Sequence, residues 1–415
     1  VSPSIAPLSA PDGTVCDTGR DDGHRSLRCY VTADAAPLLH LRVVGRPAAP
    51  AAALLLHDAL VLPRLWDHCS GLGELRPVVD HGRIAGVEAH LSALDPAQLW
   101  DDAAALRAAV CRAVADTVRD DNLDQAVVRA AATRTGTSFG LAALATAAAR
   151  ADCEAAPAAD RLHATDLTAR LAEDARHLAD KAALHAPALV SRLVLTAARP
   201  ATHPPAGPPP VSPDPRLTIR LPRYAPPPER LEIVCGRAEL AHVQIRRPLP
   251  PVGTVRELAA VLLANQAGFG PWGSALDHTL RFRHALTYLW DCLFDHAHGE
   301  FVMLAAPDTA DVDRVLRLVR AAHTRRLPAP VTGRTVEAAR RIVTTGLLRR
   351  LGPAPRALAT QADVQCSGLP SRFVVSLLAA LRAVTAQEAA AAAPAVAAEP
   401  LAVTVVLPAR THEAG

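Results

Sequence analysis

Apolar and polar positions follow the same succession twice along this chain. Leu27 to Thr32 and Leu38 to Val44 place apolar residues at alternate positions, the spacing of half-buried strands. The next apolar run, Ala51 to Leu62, has helical spacing. Leu217 to Leu221 and His242 to Arg246 repeat the strand pattern, and Val255 to Gln266 repeats the helix. Each half then carries long Ala/Leu/Arg helices and closes on a helix followed by a strand. These are Asp166 to Lys181 before Leu189 to Thr196, and Ala386 to Ala393 before Leu401 to Leu407. Thr385 and Glu388 have the spacing of a capping box, in which the Thr oxygen accepts from the amide three residues on and the Glu reaches back. The repeat is one of order, not of identity.

Between the halves lies a proline-rich segment, 200–215. Proline removes amide donors and favours extended backbone, so neither a helix nor a central strand runs through it. The pattern predicts an α+β chain of two similar sandwich domains, 1–199 and 216–415, each a largely antiparallel sheet packed by helices, with 200–215 as the linker.

Composition narrows the classes. Half of the 415 residues are hydrophobic, enough for large cores, but aromatics are only 3 %, so Ala, Leu and Val must build them. Lys181 is the sole lysine, and net charge is +3 with no basic block, which points away from nucleic acid. The cysteines (Cys16, Cys29, Cys69, Cys111, Cys153, Cys235, Cys292, Cys366) are dispersed without a C-x-x-C, as small core residues of a reducing compartment would be. No apolar stretch suits a membrane span and the first ten residues lack a signal-peptide pattern, so the expectation is a cytoplasmic protein without a membrane partner.

The most informative stretch is Leu280 to Tyr288, which reads L-R-x-x-x-A-L-T-Y. Together with Leu258 to Asn265, Gly299 to Val302 and Ala383 to Ala393, in that order, it resembles the second half of pitrilysin/insulinase-type zinc metallopeptidases, in the mitochondrial-processing-peptidase branch. The resemblance covers about Leu27 to Leu407 and is weaker in the first half. It implies that Arg281 and Tyr288 hold the substrate backbone near the metal. Arg offers a planar fork of donors to peptide carbonyls. A Tyr hydroxyl can donate to the oxyanion formed when the scissile carbonyl is attacked. Ala285 stands where the family usually has Gly. The bland alternative is an amphipathic helix end with a surface Arg and an interfacial Tyr.

The family's metal motif, H-x-x-E-H, is missing. His57 could take the first histidine's place, but the fourth and fifth positions would then be Leu60 and Val61, which cannot act as base or ligand. No Glu occurs between Glu88 and Glu154, where a distal ligand is expected. The expectation is therefore no metal and no cofactor in this chain, with zinc in a homologous partner subunit bearing H-x-x-E-H, and an extended peptide as substrate. Leader-peptide removal is one candidate task; an inactive scaffold of the same fold is the alternative.

Other clusters read more plainly. His296-Ala-His298-Gly-Glu300 has ligand types at close spacing but reads as a solvated turn between strands. His57 reads as a helix-face histidine, and Asp67-His68 and Asp80-His81 as loop residues. Gly268, Gly270 and Gly273 fit G-x-G-x-x-G, yet a helix precedes them and Pro271 interrupts, so they mark a break between helices. By the resemblance this loop would flank a substrate entrance; otherwise it is a simple turn.

Overall fold

The computed structural model describes residues 25–32, 38–45, 50–56, 73–80, 84–92, 109, 112–113, 123–134, 161–184, 192–200, 213–221, 230–235, 240–296, 298–324, 331–351, 354–370 and 372–409. In the first half, strands β1 (Arg25–Thr32) and β2 (Leu38–Gly45) lead to helix α1 (Pro50–Leu56). The hairpin β3 (Gly73–Asp80) and β4 (Ile84–Ser92) follows, then α2 (Leu123–Arg134), β5 (Arg161–His163), α3 (Ala164–Leu184) and β6 (Arg192–Pro200).

The second half has β7 (Arg230–Cys235), β8 (His242–Pro248), α4 (Val255–Phe269), the single turn α5 (Ala275–Asp277), β9 (Thr287–Asp295) and β10 (Glu300–Pro307). Helices α6 (Val312–Thr324), α7 (Gly333–Leu351), α8 (Ala354–Cys366), α9 (Phe373–Ala383) and α10 (Ala386–Ala398) precede the last strand, β11 (Ala402–Pro408).

The two sheets share one plan. The first has strand order β1-β6-β2-β4-β3; the second runs β7-β11-β8-β10-β9 and carries β5 beyond β7. In each, the first and last strands of the half pair in parallel (β1 with β6, β7 with β11), and the other pairings within the half are antiparallel. The internal repeat is thus topological. The halves also trade elements. β5 pairs in parallel with β7 in the second sheet, and α8 packs over β2 and β6 of the first. Pro200 ends β6; 201–212 lie outside the described residues.

Two expectations need correction. Leu217 to Leu221 is not a strand: it makes one bridge, Thr218 to Thr254, with Ile219 N–H donating to Gly253 O and Val255 N–H to Leu217 O. Prolines at 213, 215 and 222 flank this segment on both sides and keep a ladder from extending beyond it. The strand occupying that place in the repeat is β7, which buries Ile233 and Cys235. Asp80 ends β3, paired with Ile84, instead of lying in a loop. His57, Leu60, Val61, Asp67, His68 and His81 fall outside the described residues.

The second half's core is aliphatic. Helix α4 is buried nearly all round and packs against α7, α9 and α10. Its Thr254–Glu257 capping box and the Thr385–Glu388 box of α10 are both complete. Arg256 ties the two helix starts together through Glu388, with Nε to Oε1 at 2.7 Å and Nη2 to Oε2 at 3.1 Å. That guanidinium, with the Thr385 donors, holds the Glu388 carboxyl down at about 2.

Candidate functional site

Helix α4 ends where Gly270 N–H donates to Gln266 O. The carboxamide of Gln266 fills the space a side chain at Gly270 would need, and its Nε2 donates to Pro271 O at 2.6 Å. The chain then turns through Trp272 (φ +63°) and Gly273 (φ +102°), both in the left-handed region. Ser274 restarts the helix by accepting from Asp277 N–H, and Gly273 N–H donates to Asp277 Oδ2. Gly270 and Gly273 therefore belong to the interhelix loop, whereas Gly268 is buried inside α4 and does not line it.

After α5, residues His278–Arg283 form a π-helical turn, and His284 N–H donates to Thr279 O. Single π turns insert one residue and re-aim the side chains beside them, which is why they gather at functional sites. Arg281 sits in this turn. Its Nη1 approaches Asp277 Oδ1 at 3.5 Å, and its side chain is 13 % exposed. The guanidinium lies 5.0 Å from the Trp272 ring, 5.5 Å from Phe282 and 5.3 Å from Tyr288.

Those three rings are 67 %, 69 % and 90 % exposed. A chain with thirteen aromatics has placed three of them in water around one arginine. Exposed aromatics grouped about a cation mark a binding surface, because leaving them wet forgoes their burial. Tyr288 opens strand β9, and its hydroxyl has no hydrogen-bond partner among the described residues. Among the described residues the Arg281 guanidinium has only the long polar contact to Asp277, at 3.5 Å. The structure thus brings Arg281, Tyr288 and Trp272 together beside the Gly270–Gly273 turn.

The hairpin between β9 and β10 holds a second cluster, and it is not a solvated turn. Asp295, His298 and Glu300 are 9 %, 1 % and 5 % exposed. His298 Nδ1 meets Asp295 Oδ2 at 2.8 Å, and Arg246 Nη1 meets Glu300 Oε1 at 2.5 Å. The strands β8 and β10 pair with Arg246 opposite Val302, so Arg246 reaches Glu300 diagonally, two residues along the same face, a contact 54 residues apart in sequence. The three potential ligand atoms lie within 4.8 Å of one another. Arg246, however, already supplies the cation that Glu300 needs, so the donor set suits an ion-pair network better than a divalent metal.

Two further features escaped the sequence reading. Arg247, next to Arg246 but on the opposite face of β8, is fully buried between the rings of Phe269 (4.4 Å) and Phe301 (5.2 Å). It donates to Asn265 Oδ1, its Nε and Nη1 have no hydrogen-bond partner among the described residues, and burial draws its pKa down to about 10. Beside it, Asn265 Nδ2 approaches the Cys292 sulfur at 3.3 Å, and burial pushes that thiol up to about 11. Cys292 and Asn265 line a pocket of about 670 Å³ that lies between β9 and α7 and is walled by Leu293, Phe294, Leu347 and Phe373. The signal for the region was present: six of the thirteen aromatics fall between Phe269 and Phe294.

No family model matches the chain, and no curated protein matches it in sequence. Solved structures do match its shape. One is a peptidase M16 inactive domain from Pseudomonas fluorescens, at TM-score 0.58 and 16 % identity, covering 94 % of this chain and 98 % of that one. Another is a protease from Helicobacter pylori, at TM-score 0.60 and 9 % identity, covering 96 % and 100 %. A third is a chain in Complex III2 from Candida albicans, at TM-score 0.59 and 11 % identity, covering 92 % and 93 %. At these identities the likeness is one of fold: two repeated α+β sandwich units over the whole chain, as in M16 peptidase-like proteins.

Proposed function

We propose that this chain is the metal-free, substrate-gripping subunit of a two-chain zinc endopeptidase. It would pair in the cytoplasm with a homologous subunit bearing H-x-x-E-H and act on extended peptides such as leader peptides. The observation that carries this reading is the exposed ring of Trp272, Phe282 and Tyr288 around Arg281, with a phenol left unpaired. The missing H-x-x-E-H motif supports placing the metal elsewhere. The partner's zinc would supply Lewis-acid activation of water. Arg281 then holds a peptide carbonyl with its free donors, and Tyr288 donates its hydroxyl proton in a hydrogen bond to the developing oxyanion. The aromatic rings exclude water from both contacts, which strengthens them.

The test is cleavage of a quenched-fluorescent peptide by the complex of this chain with an H-x-x-E-H homologue. Tyr288→Phe should lower kcat about a hundredfold, the range for losing one oxyanion donor. Arg281→Ala should raise KM, because it removes ground-state contacts as well. Equal activity in wild type and both variants rejects the reading in favour of an inactive scaffold. The inactive domain from Pseudomonas fluorescens shows that this fold also occurs without activity.

A further inference from the structure

The pocket between β9 and α7 has a chemistry that selects among peptides. β9 is the terminal strand of the six-stranded sheet, and among the described residues nothing pairs with its outer edge. Such an edge offers a row of backbone donors and acceptors to an extended chain. The pocket opens beside that edge. Its walls are apolar, with Leu293 and Phe294 from β9, Leu347 from α7 and Phe373 from α9, and Leu293 is left 38 % exposed.

The rim is charged with one sign. Arg341, Arg349 and Arg350 of α7 line the pocket, are exposed, and have no ion pair or hydrogen bond among the described residues. The neighbouring Arg340 is different: it pairs with Glu337 at 3.0 Å and caps α9 through the carbonyls of Leu381 and Val384. The acid on the pocket wall is Asp291 of β9, whose Oδ1 accepts from Cys292 N–H. The wall is therefore acidic at one point on the strand side and basic at three on the helix side.

We infer that this groove takes an extended peptide whose every second residue is in turn apolar and acidic, the apolar chain entering the pocket and the carboxylates two residues away meeting the α7 arginines. Side chains of an added strand alternate in direction, so an apolar anchor beneath α7 shares its face with the residues two before and two after it, and those reach the rim. Three unpaired arginines repel a basic peptide and attract an acidic one, which gives selectivity more than raw affinity. The inference rests on the peptide-handling reading of this lobe and names the class of peptide.

The experiment uses the isolated full chain and three capped, rhodamine-labelled peptides of equal length, with serine at every second position and the positions between alternating leucine with glutamate, leucine with glutamine, or leucine with lysine. Binding is read by fluorescence anisotropy, without partner, metal or cleavage, so its failure is separate from failure of the Arg281/Tyr288 reading. The leucine–glutamate peptide should bind most tightly. Replacing the rim arginines together by Gln should weaken it about tenfold and leave the leucine–glutamine peptide unchanged, as expected for a few rim ion pairs. Gly346 of α7 lines the pocket with open space where a side chain would start. Gly346→Phe should therefore keep the fold, gain helix propensity and abolish binding of the leucine–glutamate peptide. Tightest binding of the lysine peptide, no change in the arginine variant, or full binding by Gly346→Phe would each overturn the assignment.

Discussion

The two ends of strand β9 differ in how they are made. At its start, Tyr288 stands in solvent against Arg281, and every participant comes from one continuous segment, Trp272 to Tyr288. Towards its far end, Cys292, Leu293 and Phe294 form the floor of a pocket whose other walls come from α4, α7, α8, α9 and the Pro271–Trp272 turn. The first arrangement is local and polar, with aromatic rings left wet. The second is non-local and apolar, with charges confined to its rim. One strand can hold both because its start meets the turn before it and its far end meets the helices. The first arrangement draws its groups from one segment, whereas the pocket exists only while α7 and α9 stay docked.

The strongest way to break this contrast is to loosen the strand between its ends. Trp290 is 3 % exposed, and its Nε1 donates to Phe269 O at 2.9 Å, tying the middle of β9 to the end of α4. Trp290→Ala should cost about 3–5 kcal/mol, from the cavity and the carbonyl left unpaired. Thermal unfolding would show this as a large fall in midpoint. A loss below about 1 kcal/mol would mean that β9 is held from elsewhere and that its ends are independent.

The same contrast explains what was legible in the sequence. The repeat, the Thr385–Glu388 box and the placement of Tyr288 at a strand start could be read because each depends on neighbours a few residues apart. The pocket could not, since Asn265, Leu293, Gly346 and Phe373 meet only in the folded chain. The hairpin at His298 was misjudged for the same reason: its local pattern is polar, and its burial follows from Arg246 on another strand. Arg246 and Arg247 are adjacent, yet one balances a carboxylate while the other is wedged between two rings. Only strand parity, applied to a known sheet, separates them.

Cysteine chemistry sharpens the comparison at the pocket end. Burial raises the Cys292 thiol from 9.0 to about 11, against smaller opposing effects of Asn265 and Arg247. The thiolate is the reacting species, so near pH 8 its fraction should be about a hundredfold below that of an unperturbed thiol. The sign follows directly: a raised pKa keeps the proton on, so alkylation accelerates as pH rises towards 11 and is slow below 9. Iodoacetamide labelling followed by mass analysis of the peptide containing Cys292 measures this. A profile that levels off near pH 9 would show a thiol in water, and hence a pocket more open than the packing of α7 on α4 implies.

The smallest effect lies at the other end and concerns a single methyl group. Ala285 has φ +49°, in the left-handed region where a Cβ crowds the backbone, and it joins the π turn of Arg281 to Leu286, whose N–H donates to Leu280 O at 2.8 Å. A non-glycine residue there costs about 1 kcal/mol relative to glycine, partly offset by the greater freedom glycine gives the unfolded chain. Ala285→Gly should therefore stabilise the chain slightly, by less than about 1 kcal/mol. Its value is in where the relief appears. If the strain belongs to the turn alone, the gain is seen in thermal unfolding and the pocket is untouched, so the leucine–glutamate peptide binds the variant as it binds the wild type. A change in that binding would show that the two ends of β9 are mechanically coupled, and that the turn beside Arg281 helps set the groove beneath α7.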